Sequence, residues 1–309
     1  MGSLGLALLA FAVVHSVFIA LDVSVLRRDA RTGAAPALRD VGWPTVAFLG
    51  AVWLAYFGIQ TALMALVPDV DGVVGTLMAA AGVSRGAHEA GAAELVFVVV
   101  ATYVVAGFWD YAFHRGLLHS RWGFFLHENH HLPTVVANGI PGISVRPFVA
   151  VTTLLTHLCT TATIVALLLA VGAPAVIETY VRSLPAMVLL LTVVGSASHS
   201  VFLRKFSWVH ELVRPLGLTT PQEHVLHHDP RRCGNYGNFT TLWDRVFGTY
   251  LAPTAGSPGA LGLAYDQDFL GTLTLGRWKI PPRVRERYRL EAFCHLNRRA
   301  GAANGEPDP

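Results

Sequence analysis

His127-Glu128-Asn129-His130-His131 returns further along the chain as His224-Val225-Leu226-His227-His228. A third cluster, His114 and His119, lies just upstream of the first, and His199 closes an apolar run before the second. These nine residues are the larger part of the chain's 14 histidines. Neutral imidazole is the commonest protein ligand for borderline transition metals. Histidines at i, i+3 and i+4 put three rings on neighbouring parts of one helical face. One octahedral ion takes at most about six ligands, so nine clustered imidazoles oversupply a single metal. The economical reading is a two-metal centre.

The surroundings of these clusters are apolar. Of 309 residues, 53% are hydrophobic and only 14% charged, with a mean hydropathy of +0.47. Ordinary globular domains carry about 25% charged residues, so much of this chain is expected in lipid. A net charge of +3 gives no sign of a nucleic-acid partner. Cys159, Cys233 and Cys294 lie far apart, which implies neither a disulfide framework nor a cysteine metal site. The first apolar run lacks the basic start and cleavage site of a signal peptide.

A bilayer crossing needs about 20 apolar residues. Five runs qualify: 3–25, 45–67, 93–113, 148–171 and 184–203. The stretch 73–83 is too short to span and is expected at the surface or as a re-entrant segment. Only a dozen or so residues, around Pro174 and Arg182, separate the last two runs, which should pair as an antiparallel hairpin. Arg27, Arg28, Arg31, Arg39, Arg115, Arg121, Arg204 and Lys205 follow the first, third and fifth spans. With the N-terminus outside, all but Arg85 and Arg182 of the 23 basic residues fall in the cytosol. The three histidine clusters fall on that same side. Residues 206–216 read as a short interfacial helix with Trp208 at the headgroup layer. The Arg-rich segment 277–299 reads equally as a solvated helix or a contact with anionic lipid, and 300–309 as a disordered tail.

On a straight helix each residue turns by about 100°, so His130 and His131 point in different directions with His127 between them. Such a triplet can share its nitrogens between two metals. His114 and His119 diverge by about 140° on the same arithmetic and converge only if the helix ends between them, at Gly116. Carboxylates are few: Asp110, Glu128, Glu223 and Asp229, each expected to orient imidazoles from outside the ligand set. Asp110 stands out as a carboxylate near the end of a span. His15 and His157 are expected to hydrogen-bond within the bundle, and His88, His210 and His295 to lie on the surface.

Two other readings compete. His127-Glu128-x-x-His131 is not far from a zinc-peptidase helix; His127-Glu128-Asn129-His130-His131 satisfies HExxH with Glu128 as base, but the second triplet has no glutamate there. A bis-histidine haem protein would instead place single histidines face to face across helices.

Several stretches together resemble the fatty acid hydroxylase/sterol desaturase superfamily, the integral-membrane di-iron oxygenases. They are Tyr111-Ala112-Phe113-His114-Arg115, His119, the first triplet, His199, and Thr220-Pro221-Gln222-Glu223-His224 with His227-His228. Gly234-Asn235-Tyr236-Gly237-Asn238 and Leu242-Trp243-Asp244-Arg245-Val246-Phe247-Gly248-Thr249-Tyr250 complete the set. The resemblance implies two iron ions held by the nine histidines, O2 as co-substrate, and oxidation of a C–H bond of a membrane lipid. That lipid would be a sterol, a fatty acyl chain or a relative of these, and the product an alcohol or an alkene. No haem or flavin motif is present, so a separate electron carrier of ferredoxin or cytochrome b5 type, with its reductase, is expected. The chain departs from the family pattern at Gly107, where an aspartate is common, at Leu203, where some members have a further histidine, and at Arg146-Pro147 in place of His-Pro.

The expected architecture is all-α: a multi-pass transmembrane bundle of four to five spans under a cytosolic helical cap with the dimetal site. Residues 1–92 would form N-terminal helices and an outer loop, 93–251 the catalytic domain, and 252–309 a basic cytosolic segment. In a bacterium the membrane would be the inner one.

Overall fold

In the computed structural model, the described residues are 3–31, 70–84, 86–120, 123–131, 150–229 and 232–253, with isolated positions 54, 58, 62 and 261. The span expected at 45–67, the segment 277–299 and the tail 300–309 lie outside them, as does the side chain of Glu128. The described residues form helices and turns without a strand, apart from one antiparallel bridge between Leu218 and Thr240.

Four long helices make the bundle: α1 (Ser3–Arg31), α3 (Ala92–Phe113), α5 (Ala150–Ala170) and α6 (Val176–Ser198). Three segments are long and apolar enough to cross a membrane: Ala92–Leu118, Val151–Ala170 and Val176–Ser198. Leu95, Val96, Phe97 and Val100 stay exposed along α3, as a lipid-facing side requires. The described residues are those of a helical integral membrane protein.

The last span begins earlier than hydropathy indicates, at Val176 rather than residue 184. Glu178 and Arg182 read as loop residues because they are charged, yet they pair at 3.0 Å one turn apart on the exposed face of α6. Pro185 sits inside the helix without ending it. The connection from α5 to α6 is thus only 171–175, and it turns through Gly172 at a positive φ of 72°.

Helix α2 (Val70–Ala80) covers most of the stretch expected at the surface. It is too short to span, but it is packed: Val74 and Met78 are buried against Val98 of α3, Ile164 and Val165 of α5, and Ile177 and Tyr180 of α6. This apolar cluster sits at the end of the bundle where α3 and α6 begin. At the opposite end, where α3 and α6 finish, the short helices gather: α4 (Phe124–His131), α7 (Val201–Arg204), α8 (Ser207–Val213), α9 (Pro221–His227) and α10 (Leu242–Val246). All nine clustered histidines are on this end.

Candidate metal centre

His114 and His119 come from a widened turn. The helix does not stop between them; α3 runs into a π-helical turn, His114–Leu118, in which the His119 amide donates to the His114 carbonyl at 3.0 Å. The wider turn closes over five residues as an α turn closes over four. That brings the two rings to a centroid separation of 5.0 Å. The expectation that the helix ends at Gly116 is therefore corrected: the helix changes pitch.

The two triplets occupy the last turns of α4 and α9. The first turn of α9 is fixed by a capping box in which the Glu223 amide donates to Thr220 Oγ1 and the Thr220 amide donates to Glu223 Oε2. His199 stands where α6 has ended and α7 has not begun.

These elements collect eight of the rings into two groups, all buried but the half-buried His199, each with ligand atoms within 4.8 Å of one another. One holds His114, His119, His127 and His227; the other holds His130, His199, His224 and His228. Each triplet is divided between the groups. His131 lies between them, its ring 5.0 Å from His119 and 4.8 Å from both His227 and His228.

The facing atoms are Nε2. They approach at 2.8 Å for His114 and His127, 3.1 Å for His119 and His227, 3.1 Å for His130 and His199, and 2.9 Å for His199 and His224. Three of these rings have their other nitrogen committed. His114 Nδ1–H donates to the Tyr236 carbonyl, His227 Nδ1–H to Gly234 at 3.1 Å, and His199 Nδ1–H to Gly195 at 2.8 Å. Their Nε2 atoms are then lone-pair acceptors aimed inward. Converging lone pairs need a cation. Adjacent ligands on a six-coordinate ion with metal–nitrogen bonds of about 2.1 Å stand about 3 Å apart, which the spacing here matches.

Electrostatics favours the same occupant. Burial first, and the neighbouring rings second, hold His127, His130, His131, His224 and His228 well below the ordinary histidine range. Burial and His114 do the same to His227, against the Gly234 carbonyl, which opposes the shift. The site keeps imidazole neutral, the form that binds metal.

Three of the acidic residues have described neighbours. Asp110 accepts from the Asn238 amide at 2.8 Å and from Asn238 Nδ2 at 3.0 Å, so it reaches His114 through the loop and not directly. Besides its capping role, Glu223 accepts from Tyr250 Oη at 2.7 Å. Asp229 is buried and lies 3.4 Å from the Arg232 guanidinium. The groups that orient rings include main-chain carbonyls. Two of these carbonyls, those of Gly234 and Tyr236, belong to the Gly234–Asn238 loop, and Asp244 ties it down. Asp244 accepts from the Tyr236 amide, the Gly237 amide and Thr249 Oγ1, each at 2.8 Å. The only sequence signal for Asp244 was its place in the Trp243–Tyr250 motif. His15 meets Ser196 Oγ at 3.3 Å, within the bundle as expected, and His210 meets Thr220 Oγ1 at 2.7 Å.

A helical membrane bundle with two adjoining polyhistidine groups at one end is the class these features define. Residues 99–249 match the model of the fatty acid hydroxylase family. Every histidine of the cluster lies inside the match. No curated protein and no solved structure matches the chain. A match to this family implies an oxidoreductase and suggests membrane lipid as its substrate, in a family that is typically iron-dependent.

Proposed function

We propose that the protein is a di-iron oxygenase that hydroxylates or desaturates a membrane lipid, a sterol, a fatty acyl chain or a relative of these. Hydroxylation would consume one O2, two electrons and two protons and yield the alcohol and one water. Desaturation would consume the same reactants and yield the alkene and two waters. The electrons would come from a separate ferredoxin- or cytochrome b5-type carrier with its reductase.

The observation that carries this reading is the division of the rings: two adjoining four-histidine groups built from four separate elements, with inward lone pairs. His114, His119, His127 and His227 would hold one ion and His130, His199, His224 and His228 the other, with His131 available to both. Iron in such a site supplies O2 activation and one-electron redox chemistry. The chain's own part is to keep the imidazoles neutral, to lock three of them by carbonyls, and to exclude bulk water by burial. The rings stand in mutual contact, which leaves no slot for a haem macrocycle between any pair. A peptidase zinc site would use three ligands and leave the other group without a purpose.

Orientation follows the basic residues. Arg27, Arg28, Arg204 and Lys205 lie on the histidine end and Arg182 on the other, so the centre would face the cytosol. The lipid would then enter from the bilayer between helices.

Metal analysis of the purified protein tests the reading. The expected result is iron in two equivalents per chain without a Soret band. A Soret band, or zinc in a single equivalent, overturns it. His227→Ala is expected to abolish lipid oxidation in cell extracts while leaving membrane insertion intact.

A further inference from the structure

We propose that Asp22 of α1, outside the family-matched region, is a positioning residue for His199 and hence for the second histidine group. The proposal rests on His199 being a metal ligand, and extends that reading to a part of the chain the family does not cover.

The reason lies in how α7 begins. A helix start leaves amide groups without intrahelical acceptors. Here Ser200 Oγ takes the Leu203 amide at 3.2 Å, and the Phe202 amide donates to Asp22 Oδ1 at 2.9 Å. The Ser200 hydroxyl itself donates to the same Asp22 oxygen at 2.7 Å. The cap of α7 is thus completed by a carboxylate from a helix 178 residues earlier in the chain. The break between α6 and α7 lets His199 turn its Nε2 toward His130 and His224. Asp22 holds that break open.

Asp22 is also one of a series. His15, Asp22 and Asp29 recur every seven residues, which on a helix of about 100° per residue keeps them on one face. His15 meets Ser196 Oγ, Asp22 meets Ser200 and Phe202, and Asp29 accepts from Lys205 Nζ at 2.8 Å. The polar stripe therefore follows the chain through the end of α6, the His199 corner and the end of α7. Beside it, Val25 and Leu26 pack on Val201 and on Val225, the neighbour of His224. Asp22 is fully buried. Burial lowers the Arg204 guanidinium and the Asp22 carboxylate opposes that shift, so a compensating charge is close by. A buried charge far from its own domain's site is costly unless it is used.

The test compares wild type, Asp22→Ala and Asp22→Asn as full-length purified protein, by metal content and by hydrogen exchange over residues 199–204. In Asp22→Ala the Phe202 amide is expected to lose its protection and metal content to halve, as in His199→Ala. Asparagine keeps an Oδ1 acceptor, so Asp22→Asn is expected to retain both. Unchanged protection and metal in Asp22→Ala, or equal damage in the two variants, overturns the proposal. If Asp22→Ala fails to accumulate, Ser200→Ala, which leaves α1 intact and removes the hydroxyl that joins the corner to Asp22, is expected to lose protection at the Leu203 amide and to lower metal content, and unchanged metal content overturns the proposal. Should wild type bind fewer than two ions, the dimetal reading fails, while the exchange comparison still decides whether Asp22 caps the corner.

Discussion

Gly237 shows how little room the ligand-holding loop has. A Cβ there would come 2.1 Å from the Thr240 carbonyl oxygen and 3.1 Å from Asp244 Oδ2. Its neighbour Asn235 accepts a left-handed backbone, φ 53°, because its side chain donates to the Glu223 and Leu251 carbonyls and accepts from the Leu251 amide. Gly237→Ala must therefore move backbone that carries the Tyr236 carbonyl, the acceptor for His114. A loss of about 1–3 kcal/mol is expected from such overpacking, read as a lower melting temperature in detergent, with metal lost from the first group. Gly116→Ala is the control. Its Cβ would meet nothing within 4 Å, and melting temperature and metal content should hold. Gly107 is explained in the same way: a Cβ there would lie 2.4 Å from the Thr240 methyl, so no side chain fits at that position, while Asp110 binds the loop. That the nine histidines cluster was legible in sequence because imidazole chemistry is carried by side chains. The carbonyls of Gly195, Gly234 and Tyr236 were not, since every residue has one and only folding aims it.

At the scale of elements, the helices were legible wherever hydropathy and helical period agree. They were misread where a charge lay on a lipid-edge turn, as at Glu178 and Arg182, and where a turn changed pitch. A five-residue spacing between His114 and His119 is ambiguous in sequence because nothing in it announces a π turn. The triplets were legible, since HxxHH on a helix fixes both spacing and divergence. Their burial has a pH consequence. His127, His130, His131, His224, His227 and His228 sit well below 6.5 in the folded chain and return toward 6.5 when it unfolds. Below that value the unfolded chain binds more protons, so folded stability falls as pH falls. Metal-free protein should show a steady melting temperature above about pH 7 and a steep decline towards pH 5. A flat profile would show that the rings are not buried together. Loaded protein should release its metal over the same window, because protons compete for the same nitrogens.

The whole molecule has two unlike ends. One carries the apolar plug of α2 with the His88–Glu94 pair at 2.9 Å, the other the histidines and the exposed Trp208, Leu212 and Leu216 of α8 and the turn after it. The last group suits a segment lying along the membrane surface, as the sequence suggests. Single cysteines placed at Ser207 and Arg182, in a chain with Cys159, Cys233 and Cys294 replaced, should label from opposite sides of the membrane. Ser207 is expected to react from the cytosol and Arg182 from outside; labelling of both from one side would contradict the assigned topology. The helical membrane architecture was readable from hydropathy, which is a sum over many residues. The role of the first helix was not, because its meaning depends on contacts with residues 196–205, across the length of the chain.

The stripe on that first helix bears on how the family region can be used. A protein trimmed to residues 99–249 would carry all nine clustered imidazoles and still lack the strut that props one corner of the proposed metal pocket. Transplanted or shortened versions should therefore bind one ion well and the other poorly, until a helix with an acid at the right height is supplied alongside.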